Sequence, residues 1–103
     1  MSVSNWVGGL PSQGAYAINR VLYDVQHDRA EEERYFMDRT KYLAGNRDLS
    51  ALAVTALAST DIGQLYSLGA NPYLLRAYCL QLRIPEAEYL AALRAVNERG
   101  NHG

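Results

Sequence analysis

Apolar residues along this chain recur with a helical period, broken by polar caps and by Gly or Pro. Ile18, Val21, Leu22 and Val25 follow the i, i+3, i+4, i+7 template, so a first helix begins near Ser12 or Gln13. Asp28 is placed to cap a second helix whose first turns carry Glu31, Glu32 and Glu33, acids that suit the positive end of the helix dipole. Tyr35, Phe36 and Met37 are its expected apolar patch. Asp38 starts a short helix that ends at Gly45 or Asn46, either of which can take a left-handed stop position. Ser50 caps "ALAVTALA", with Leu52, Ala53, Ala56 and Leu57 on one face.

Asp61 begins another short helix with Ile62, Leu65, Tyr66 and Leu68 apolar, and Gly69 stops it. Asn71 then caps a further helix, Pro72 takes its first turn, and Leu74, Leu75, Tyr78, Cys79 and Leu82 form its buried stripe. Pro85 opens "PEAEYLAALRAV", in which Tyr89, Leu90, Leu93 and Val96 face inward. No segment alternates with period two, and no Asn-Gly or Asp-Gly hairpin signal occurs. The pattern predicts one all-α domain of six or seven short helices over residues 15–97, preceded by a Gly- and Ser-rich arm over 1–14 and followed by a frayed tail over 98–103. Trp6 stands out in that arm as a side chain that docks onto this domain or onto a partner.

Composition narrows the function classes. The 103 residues suffice for one domain, and 49% apolar content is globular. A net charge of −1 offers no basic excess for phosphate contacts, so no nucleic-acid partner is expected. No stretch is long and apolar enough for a membrane span, and "MSVSNWVGG" lacks the charged and apolar regions of a secretory signal. A cytoplasmic setting is the resulting expectation. Cys79 is the only cysteine, so no intrachain disulfide forms.

Chemistry-bearing groups are sparse. His102 lies in the tail, and His27 sits at a helix C-terminus near Asp24, Asp28 and Glu31, where a ring that suits the helix dipole is the simpler reading than a metal ligand. Cys79 falls on an apolar stripe with no His beside it and reads as a core residue. No Gly-rich phosphate loop is present. No catalytic residue and no metal ligand is therefore assigned within this chain. Tyrosine is abundant instead: eight, against one Trp and one Phe, and Tyr is a residue enriched at protein interfaces.

The ordered set "YAINRVLYDV", Arg34 and Tyr35 on the acidic helix, "YL" at 42 and 43, the Ser50-capped Ala-rich helix, "GANPYLLRAY" and "EAEYLAAL" resembles the small (alpha) subunit of LigAB-type extradiol ring-cleavage dioxygenases, of which protocatechuate 4,5-dioxygenase is one. The likeness covers roughly residues 15 to 95, and Gly69, Asn71 and Tyr73 meet the family's Gly-x-Asn-x-Tyr step. The resemblance implies a helical, non-catalytic subunit lying over the active-site mouth of a large (beta) subunit, which holds Fe(II) through two His and a carboxylate. It implies an aromatic diol or aminophenol substrate in the complex, and it places Tyr16, Asn19, Asn71, Tyr73 and Arg76 toward the partner. Leu82 runs almost directly into "RIPEAEY", without the segment that reaches toward substrate in the protocatechuate enzyme. That difference turns the substrate expectation toward aminophenol-type or biaryl catechols. The alternative reading is a free-standing helical interaction or regulatory module on the same fold.

Overall fold

Short polar side chains start five of the seven helices seen among the described residues of a computed structural model, which describes residues 13–102, with side chains over 14–98. The helices are α1 (Gln13–His27), α2 (Arg29–Met37), α3 (Arg39–Ala44), α4 (Ala51–Ser59), α5 (Ile62–Ser67), α6 (Pro72–Gln81) and α7 (Glu86–His102). Asp28, Asp38, Ser50, Asp61 and Asn71 each accept a backbone N–H from the first turn that follows, as their sequence positions predict. No strand occurs among the described residues. α1 begins at Gln13, inside the stretch expected to be an arm, and α7 continues to His102 through the stretch expected to fray. Ser12 and Trp6 lie outside the described residues.

Gly69 stops α5 as expected, whereas other helix ends differ from expectation. Gly45 has φ −81°, in the right-handed region, so α3 has no left-handed stop there. Linked tight turns satisfy the backbone instead, with Asn46 N–H donating to Leu43 O (3.1 Å) and Asp48 N–H to the Asn46 side-chain oxygen (3.0 Å). Left-handed stops occur at Thr60 (φ 57°), Gly69 (φ 104°) and Arg83 (φ 61°). After each, the next N–H reaches back five residues: Asp61 to Ala56 O (2.8 Å), Ala70 to Leu65 O (3.0 Å) and Ile84 to Cys79 O (2.9 Å). For β-branched Thr60 this conformation costs about 1–2 kcal/mol. Its hydroxyl accepts a 2.8 Å bond from Arg39 Nη1, which holds the turn in place.

The core forms where these helices cross. α1 lies against α2 and α6, α3 against α4, and α5 against α7. Ile18, Val21, Leu22 and Val25 are buried as one stripe, together with Ala53, Ala56, Leu57, Leu65, Leu75, Cys79 and Tyr89. Four expected core residues are exposed: Phe36 (37%), Met37 (86%), Leu52 (59%) and Leu90 (41%). α2 is short and buries one large ring, Tyr35, so its neighbours Phe36 and Met37, each a further ~100° around the helix, turn away. On α4, Leu52 sits ~100° before Ala53 and falls off the face that Ala53, Ala56 and Leu57 share.

A polar cluster lies inside. The Tyr35 and Tyr78 hydroxyls are 2.7 Å apart, and Arg39 Nη1 donates to Tyr78 Oη and to Leu57 O, both at 3.1 Å. Burial, chiefly, holds the Tyr35 phenol well above its ordinary pKa. Tyr42, packed edge-on to Tyr35 at 5.3 Å, donates its hydroxyl to Glu31.

Two outcomes check this architecture. A Cβ on Gly69 would meet Ala15 Cβ at 2.6 Å, at a φ that L residues rarely adopt. Gly69→Ala should therefore cost about 2–4 kcal/mol in urea denaturation, and Ala15→Gly in the same chain should recover only the steric part. The Tyr42 phenol is pushed up to about 12, first by burial and then by its bond to the Glu31 carboxylate. The fold favours the protonated phenol, so its contribution to stability is full below an unfolded value of about 10 and is lost as pH rises through about 12. Spectrophotometric titration should show this late ionisation, and Glu31→Gln should move it down.

Candidate functional site

The α5–α6 seam is the best-defined polar construction on the surface. Gly69 turns the chain out of α5, and Asn71 restarts it as α6 with Pro72 in the first turn. The Asn71 side-chain oxygen accepts from Tyr73 N–H (2.8 Å) and Leu74 N–H (3.2 Å), so it is occupied by capping. Asn19 of α1 spans the seam: its Nδ2 donates to Gly69 O (3.3 Å) and its Oδ1 accepts from Asn71 N–H (2.7 Å). Ala15, one helical turn earlier, packs where a Gly69 side chain would stand. Gln26 adds a third tie, donating to Leu74 O at 2.8 Å.

Around this frame the tyrosines face outward. Tyr73 is 86% exposed, Tyr16 60% and Tyr23 50%. Tyr16, Asn19, Arg20, Tyr23 and Leu74 line a shallow hollow of about 290 Å³ between α1 and α6. Asn19, Gly69, Asn71, Tyr66 and Val96 border an adjoining groove. Of the expected interface residues, Tyr16, Asn19 and Asn71 line these hollows, and Tyr73 stands exposed on the first turn of α6.

Arg76 does not share them. It is half-buried at the α6–α7 contact, with its guanidinium 5.6 Å from the Tyr89 ring centroid and Nη2 3.9 Å from Glu86. Its Nη1 is buried without a hydrogen-bond partner. Three side chains of the α1–α6 hollow, Arg20, Tyr23 and Leu74, were not among the expected residues. Their signal was present: Tyr16, Arg20 and Tyr23 repeat at i, i+4 and i+7, a polar-face stripe opposite the apolar one.

The remaining candidates are structural. The His27 ring stacks on Tyr23 with centroids 4.0 Å apart and has Nδ1 2.9 Å from Tyr23 O. Cys79 is fully buried, and burial pushes its thiol up. Among the described residues no cluster of three His, Cys, Asp or Glu is arranged to hold a metal, so an iron triad does not fit them. No described helix is long and apolar enough to cross a membrane. Set against family models, curated proteins and solved structures, the chain finds no match in any of the three.

Asn19 is the testable strut of this site. Asn19→Ala removes both cross-seam bonds and should cost about 1–2 kcal/mol, with faster hydrogen exchange at the Asn71 amide. Asn19→Asp keeps the acceptor for Asn71 and loses the donor to Gly69, so it should fall between wild type and Asn19→Ala. Equal stability of all three chains would show that the clamp contributes nothing.

Proposed function

We propose that this chain is the non-catalytic small subunit of a heteromeric Fe(II)-dependent extradiol ring-cleavage dioxygenase, and that the α1–α6 tyrosine surface seats it over the large subunit's active-site mouth. One observation carries the reading: Tyr16, Tyr23 and Tyr73 stand exposed around a seam that Asn19 and Gly69 fix in place. A Tyr ring loses little rotamer freedom on docking and keeps a hydroxyl for hydrogen bonding, so it gives large contact area at low entropic cost. The identity of the partner rests on the resemblance of residues 15 to 95 to the LigAB small subunits.

In this reading the large subunit binds the iron, which supplies open coordination positions for an aromatic diol or aminophenol and for O₂. This chain's own residues bind the partner and exclude water. Tyr16, Tyr23 and Tyr73 cover polar surface at the mouth, and a drier site strengthens the electrostatic interactions inside it. The proposed assembly is cytoplasmic.

Co-expression with an extradiol large subunit from the same genome should give one co-eluting complex with ring-cleavage activity. Tyr73→Ala should weaken association by about tenfold or more, as for an interface anchor. Its urea midpoint should stay unchanged, because the side chain is 86% exposed. Two independently eluting chains, or a Tyr73→Ala chain that assembles normally, would contradict the proposal.

A further inference from the structure

Trp6 is the chain's single tryptophan and the one aromatic residue ahead of α1. It lies outside the described residues, and the hollow of about 290 Å³ between α1 and α6 is close to it along the chain. Ligand sites run from about 300 to 1,000 Å³, so this shallow hollow suits one large side chain. Tyr16 and Tyr23 of α1 flank it, and Leu74 of α6 lines it with them. Their seven-residue spacing falls within about 20° of two full turns and rises about 10 Å, so both rings share one face. Aromatic pairs prefer centroids about 4.5–7 Å apart. One further ring set between Tyr16 and Tyr23 therefore meets both at that spacing. His27, stacked on Tyr23 with centroids 4.0 Å apart, steadies that ring.

The polar side chains of the hollow are already matched. Asn19 uses its Nδ2 on Gly69 O and its Oδ1 on Asn71 N–H. Arg20 Nε donates to Asp24 at 3.1 Å, which balances its charge. Two tyrosine rings and a leucine stay open, a neutral surface whose match is an apolar aromatic side chain. Distance selects the source of that side chain. At about 3.3–3.6 Å per residue, the seven residues from Trp6 to Gln13 reach about 23–25 Å. A random coil of about seven residues spans about 13–16 Å. Tyr16 and Tyr23 stand about 4 and 10–15 Å along α1 from Gln13. A tether whose span matches the gap gives the highest effective concentration, about millimolar. The chain's own indole therefore outcompetes an untethered ring present at lower concentration.

We propose that the segment 1–12 docks back on α1 and α6, with the Trp6 indole in this hollow between the Tyr16 and Tyr23 rings and over Leu74. Gly8 and Gly9 stand where the chain must reverse, and glycine adopts the turn conformations that a reversal needs. The contact is made within one chain and does not depend on the dioxygenase reading. Any partner that takes the tyrosine face displaces the indole, so the docked segment competes with assembly there.

Tryptophan fluorescence of the full chain, excited where tyrosine does not absorb, tests this directly, because Trp6 is its only tryptophan. The native chain should emit to the blue of the urea-unfolded chain and should be less open to acrylamide quenching. Removing either ring, by Tyr16→Ala or Tyr23→Ala, should lower the ratio of docked to free indole about fivefold. The double variant should emit as the unfolded chain does. Both side chains are at least half exposed, so far-UV circular dichroism should stay native. Tyr73→Ala lies outside the hollow and should keep the wild-type emission. The blue shift should persist on dilution, as a contact within one chain must. Native emission that already matches the unfolded chain would overturn the proposal. So would a blue shift that the double variant leaves unchanged, or one lost on dilution, which would place the indole in a second copy.

Discussion

The close approach of α1 to the α5–α6 seam is the constraint on which the rest of this molecule depends. Ala15 occupies the space a Gly69 side chain would need, and Asn19 binds the backbone on both sides of Ala70, at Gly69 and Asn71. One helical turn of α1 therefore fixes where α5 ends and where α6 begins. Because α5 packs on α7 and α6 packs on α1, that single contact sets the relative placement of four helices. It also fixes the surface, since Tyr16 stands on the same stretch of α1 and Tyr73 on the first turn of α6.

A second fixed point lies deeper, where Tyr35, Tyr78 and Arg39 join α2, α6 and α3 to the turn after α4. Buried hydroxyls are costly unless bonded, and here each finds a partner. Arg39 meets only neutral acceptors, Leu57 O, Thr60 Oγ1 and Tyr78 Oη, so it acts as a hydrogen-bond donor to several elements at once. That arrangement supports Thr60 in a left-handed conformation where glycine would ordinarily be used. The two polar devices thus stand at opposite ends of α5: Thr60 just before it and Gly69 just after it.

Much of the fold was legible because the signals are local. A capping Asp, Ser or Asn needs only the N–H groups two or three residues ahead, so Asp28, Asp38, Ser50, Asp61 and Asn71 could be read directly. Helix ends were less legible. The stops at Thr60 and Arg83 carry no glycine, and Thr60 depends on Arg39, twenty-one residues earlier in the chain. Burial on the short helices was also hidden, because a period over nine residues cannot say which edge of an apolar patch meets a neighbour; Met37 and Leu52 fell outside. At the surface, the capping role of Asn71 could be read in advance. The role of Asn19 as a clamp could not, since its partners lie some fifty residues away. The place of Arg76 against Tyr89 and Glu86 was hidden for the same reason, since it is set by the docking of α7.

The central claim is that the tyrosine surface docks onto the large subunit of a ring-cleavage enzyme. It is tested most directly by placing a photo-crosslinking amino acid at position 73 of the full chain in its native host and identifying what it captures. The account predicts a single major adduct, with an extradiol dioxygenase large subunit, and none from the same probe at exposed position 52 on α4. Capture of that subunit from position 52 and not from 73, or no capture of it from either, would contradict the account.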